Sequence, residues 1–197
     1  MLTAVAFVPT LLVPLAWGSE PCAVPRSTAD LDLALYAAEN AFERRQRDAL
    51  VTAERDVLAV LPCLRDAVTV PYAARVHRVE GFTAFVLRDE SGARASFSAA
   101  RAAEPGYLLP SSVVPAAHPM RAIYDSASML PGAVEILPPV EGSLRIDGRI
   151  TTVRPLDRPA IVQYFEPSGA VTLSLLLAPA DALPTLPPPP MAVALPP

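Results

Sequence analysis

The sequence has little of what catalysis requires. Histidine and cysteine occur twice each, as His77, His118, Cys22 and Cys63, and none of them recurs at the close spacing of a metal-ligand set. No Gly-x-Ser-x-Gly elbow, no glycine-rich phosphate loop and no His-Glu-x-x-His pair is present. The adjacent carboxylates Asp89 and Glu90 fall at an expected helix start, where capping and the helix dipole already account for them. The expectation is therefore a chain that is not an enzyme, with no catalytic residue, no metal and no cofactor. Lysine is absent, so all sixteen basic residues are arginine. They are scattered through a chain of net charge −4, and without a basic stripe nucleic acid is excluded as a partner.

What is present begins with an uncharged apolar stretch, residues 1–18, ending in Ala16-Trp17-Gly18 before the polar Ser19-Glu20. An apolar run followed by a small-x-small site has the form of an export signal, although it lacks a basic start and Pro9 and Pro14 interrupt it. The other reading is an uncleaved membrane anchor, since about 17–25 apolar residues span a bilayer. Glu20 and Pro21 before Cys22 do not fit a lipoprotein site. The expected working chain is thus residues 19–197, periplasmic, in the cell envelope or secreted, and off the membrane once the signal is removed. In an oxidising compartment the two cysteines have a single intramolecular pairing, Cys22 with Cys63. A buried thiol at Cys63 beside a loose Cys22 is the competing reading.

From Ser27 to about Ala127 the apolar period is helical. Ser27 and Asp30 form an S-x-x-D start signal ahead of Leu31, Leu35, Ala38 and Phe42 on one face. A second helix is expected over Leu50 to Leu64, ended or kinked by Pro62. A third runs from Pro71 through Val86, a fourth from about Asp89 to the residues before Pro105-Gly106, and a short fifth follows His118-Pro119. In the third and fourth, Gly81, Ala93, Phe97, Ala100 and Pro105 stand in register with the small, aromatic and terminating positions of a 34-residue unit, Ala74 to Tyr107. This unit resembles a tetratricopeptide repeat. His77 and Ala84 depart from that family's pattern, and one unit earlier only Ala59 and Pro71 keep it, so the resemblance covers about residues 41–107. It implies helical hairpins that bind a protein partner, with Arg75, Arg78 and Glu80 as partner-facing residues. His77 reads as a core-edge histidine packed between helices.

After Pro131 short β-branched runs alternate with Pro and Gly. Val134 to Leu137 reads as an edge strand. Leu144 to Ile150, centred on Asp147-Gly148, reads as a hairpin with a two-residue turn. Ile161 to Phe165 and Val171 to Leu177 read as strands joined across Pro167-Ser168-Gly169. They are expected to form a small sandwich or a sheet laid on the helices. Gly142 to Pro155 resembles a PEGA-type β module. The expected fold is α+β: signal 1–18, tetratricopeptide-like helical domain 19–130, small antiparallel β domain 131–182, and a disordered proline-rich tail 183–197. The expected function is an exported bacterial envelope protein that scaffolds or assembles protein partners through its helices. The alternative is a wall- or glycan-associated module that uses the strands, which requires exposed aromatics there; Tyr164 and Phe165, being adjacent, can offer only one.

Overall fold

The computed structural model describes Cys22 and residues 24–127, 132–136, 141–179 and 181–183. The apolar stretch 1–18, expected as an export signal, Leu137 and the proline-rich residues 184–197 lie outside them. Among the described residues five helices precede two small antiparallel sheets, an α+β fold. No helix among the described residues is long and apolar enough to cross a membrane.

The helices start where local chemistry dictates. Helix α1 (Thr28–Glu43) is capped by Ser27, whose hydroxyl accepts from the Asp30 amide while the Asp30 carboxylate accepts from the Ser27 amide. Helix α2 (Arg47–Val60) stops sooner than its apolar period suggests, because Pro62 draws Leu61–Cys63 into a 3-10 turn. Helix α3 (Val70–Val86) begins one residue before Pro71, with Thr69 as its cap residue. Helix α4 (Glu90–Ala103) is capped by Asp89 through the Gly92 amide, and α5 (Pro119–Ser126) by His118 through the Met120 amide.

Helices α1 and α2 form one hairpin and α3 and α4 a second. The two repeat at a step of 43 residues, from Glu43 to Val86, Arg47 to Glu90 and Val60 to Ala103. The register of the resemblance implies a step of 34; the difference is the connector 61–69, which holds the 3-10 turn. A row of aromatic rings ties the helices together. Phe42 of α1 stacks on Phe82 of α3 at 4.0 Å, and Phe97 of α4 meets Phe82 and Tyr124 of α5 edge-on. Gly81 makes room for that row, since a Cβ there would lie 2.3 Å from the Phe97 ring.

The main sheet has the order β3-β2-β5-β6, built from β2 (Ser143–Ile146), β3 (Arg149–Ile150), β5 (Ala160–Phe165) and β6 (Val171–Leu177). A two-stranded ribbon pairs β1 (Ala133–Glu135) with β4 (Val153–Pro155). Strand β4 is not predicted from the sequence; a proline at its end is tolerated because the ribbon is all edge. Alternation gives the main sheet two apolar faces. Ile161 and Leu176 join the helical core, whereas Leu144, Ile146, Val162, Tyr164 and Leu177 form a second core with Ile136. The sheet is thus laid on the helices by one face. Its outer face is closed by Ile136 and Leu183, the latter expected in the tail. Buried Arg154 of β4 helps by donating to the carbonyls of Ala178 (2.7 Å) and Asp181.

Candidate functional site

A buried ionisable constellation lies where α3 meets the β2–β3 turn. His77 is 0 % exposed. Its Nδ1 is 3.2 Å from Glu80 Oε2 and its Nε2 is 2.9 Å from Asp147 Oδ1. Ionised carboxylate oxygens only accept, so both ring nitrogens donate and the ring is an imidazolium. Burial pushes its pKa down, but the charges and hydrogen bonds of Asp147 and Glu80 outweigh burial and hold it up at about 9. Nearby on α2, burial and then the Glu80 charge push the Glu54 carboxyl above its ordinary range.

The turn that supplies Asp147 is built for close approach. Asp147 and Gly148 have φ of 48° and 78°, the pairing that a two-residue hairpin turn requires. Asp147 Oδ1 also accepts from the Ile161 amide at 2.8 Å. A Cβ on Gly148 would lie 2.5 Å from the Val70 nitrogen and 2.6 Å from the Thr69 carbonyl carbon. The constellation therefore clasps the sheet to the helices, and a histidine sealed from solvent has no substrate to act on. Asp147-Gly148 is legible in the sequence as a turn, and His77 as a packed histidine. Their partnership across 70 residues has no local signal, because tertiary docking alone brings them together.

The three residues expected to face a partner do not share a surface. Glu80 turns to His77. Arg75 and Arg78 line a groove of about 280 Å³ between α1, α3 and the 107–113 segment, together with Glu43, Phe82, Tyr107 and Leu109. Both guanidiniums are already held within the chain. Arg75 donates from Nε and Nη2 to the two Glu39 oxygens at 2.8 Å and from Nη1 to Asp32. Arg78, 6 % exposed, donates to Glu104 at 2.7 Å and lies 3.9 Å over the Tyr107 ring. Such pairing fixes the groove wall in place; Phe82 and Leu109 are buried beneath it, so half-buried Phe42, Tyr107 and Val113 are the apolar groups it offers.

Cys22 and Cys63 form a disulfide. Beside it the 24–26 arm bridges the connector, with the Arg26 amide donating to the Cys63 carbonyl and the Arg65 amide to the Arg26 carbonyl. Asp66 accepts from the Thr28 amide at 2.7 Å, and Gln163 of β5 bonds the Val68 amide and the Asp66 carbonyl. On the strands neither aromatic is exposed. Tyr164 lies in the outer core with its hydroxyl on the Glu141 carbonyl, and Phe165, on the opposite face, is covered by the Arg145 guanidinium at 4.7 Å. An open polar cleft of about 720 Å³ adjoins that guanidinium, bordered by Arg65, Asp66 and Glu166. No group of three or more His, Cys, Asp or Glu side chains among the described residues is arranged to hold a metal ion.

Compared with protein-family models, with curated proteins and with solved structures, the chain matches none of them, so its functional reading rests on the geometry above.

Proposed function

We propose that this is an exported, non-enzymatic bacterial envelope protein that binds a partner protein through the groove between α1, α3 and the 107–113 segment. The observation that carries the reading is the groove itself, in which Arg75 and Arg78 are held by Glu39 and Glu104 around half-buried Phe42, Tyr107 and Val113. Fixed charges beside aromatic and aliphatic surface are the composition of protein-binding hot spots. By helical spacing Tyr36, exposed on α1, lies in the same stripe as Glu39 and Glu43 and lengthens that surface. Its size suits one or two side chains of a partner segment. The Cys22–Cys63 bridge supports export, because such bridges persist in oxidising compartments. The glycan alternative lacks its platform, since both strand aromatics are buried.

A photoreactive residue at Glu43, on the groove, is expected to crosslink one discrete partner in the native envelope. The same residue at Arg55, exposed on α2, is expected to give none, and Arg75→Glu is expected to abolish the Glu43 product. Equal products from both positions, or none from Glu43, defeat the groove reading. The mass of the protein recovered from the envelope tests export separately: a chain starting at Ser19 supports it, and an intact chain in the cytoplasm defeats it.

A further inference from the structure

A third concavity lies at the tips of the helical hairpins. It encloses about 360 Å³, at the small end of ordinary ligand pockets, which run from about 300 to 1,000 Å³. Its walls are apolar, including Phe42, Leu50, Phe85, Val114 and Met120. The ionisable groups that line it are Arg45, Arg47 and His118, with no carboxylate. Arg45 and Arg47 are exposed and form no ion pair among the described residues. This is unlike the other groove, where each arginine has its own carboxylate. His118 accepts the Met120 amide at Nδ1, so Nε2 carries the ring hydrogen as a further donor. Gln46, the cap residue of α2, makes no side-chain cap, which leaves the first-turn amides of α2 beside the same two arginines.

An apolar enclosure whose charged border is wholly cationic complements a molecule with an apolar body and one anionic head. We propose that this cavity binds a small carboxylate amphiphile, a straight-chain acid of about ten carbons, with the chain against Phe42, Phe85 and Met120 and the carboxylate at Arg45 and Arg47. Neither part of the ligand suffices alone. The apolar body supplies the burial, and the charge-assisted hydrogen bonds to guanidinium select the carboxylate.

The full chain is titrated calorimetrically with decanoate, decanol and acetate. The expected result is saturable one-site binding of decanoate, at least about tenfold weaker binding of decanol, and none of acetate. The variant Arg45→Gly/Arg47→Ala is expected to lose decanoate affinity at least about tenfold while melting no lower than the parent. Arg45 has φ of 59°, where glycine is the residue of least strain. A decanoate analogue with a photoreactive chain end is expected to label Phe42, Phe85 or Met120, a readout that does not depend on any variant folding. Non-saturable uptake, equal binding of decanol, an unchanged double variant or labelling elsewhere would each overturn the assignment.

Discussion

An imidazolium held by two carboxylates ties stability to pH in the direction opposite to a paired acid. His77 has a reference pKa of 6.5 and a folded value raised to about 9. Its contribution is therefore present in full below about pH 6.5 and is lost as pH rises through about 9. Urea unfolding of the parent is expected to lose on the order of 3 kcal/mol between pH 6 and pH 10 through this group. The slope is expected to be absent from His77→Gln, so equal slopes in the two proteins would remove His77 as its source. The groups facing the ring come from separate elements, Glu80 on α3 and Asp147 on the turn, with Glu54 of α2 close to Glu80. Gly81 is informative in another way. Its place beside Phe97 is legible from the spacing of small and aromatic residues, and the ring does occupy the space that a side chain would need.

At the scale of elements, the β2–β3 hairpin couples the two halves of the chain. Gly148→Ala meets both a positive φ and the backbone of residues 68–70, whereas Gly169→Ala meets a positive φ of 87° with no neighbour within 4 Å. Thermal or urea unfolding is expected to show a loss of about 1 kcal/mol for Gly169→Ala. Gly148→Ala is expected to lose about 2–4 kcal/mol, the difference measuring the docking contact. Equal losses would mean that the hairpin does not press on α3. Much of this level is written locally: the Ser27–Asp30 box, Pro71 and Pro119 at helix starts, and Asp147-Gly148 each act within a few residues, and each lies where the sequence places it. What is not local is not legible. Strand β4 exists only because β1 pairs with it, and the 43-residue step of the hairpins depends on a connector whose length the 34-residue resemblance does not include. The groove brings Arg75 and Arg78 to residues 107–113, but Glu80, two positions from Arg78, points away because the helix turns about 200° over that interval.

At the scale of the whole molecule, the connector 61–69 is where three parts meet. The disulfide and the 24–26 arm hold its start, Gln163 of β5 holds Asp66 and Val68, and Gly148 abuts its end. Reducing Cys22–Cys63 is expected to cost about 2–5 kcal/mol and to lower the melting temperature by about 10 °C. Amide exchange is expected to quicken at Val68, whose bond to Gln163 reaches the sheet, as well as in the arm. Faster exchange confined to the arm would show that the connector does not transmit the loss. The same arrangement orders assembly in time. Both cysteines precede every described strand, so in a chain that emerges N-terminus first into an oxidising compartment the bridge can close before residue 133 arrives, and the sheet then docks onto a seat already shaped.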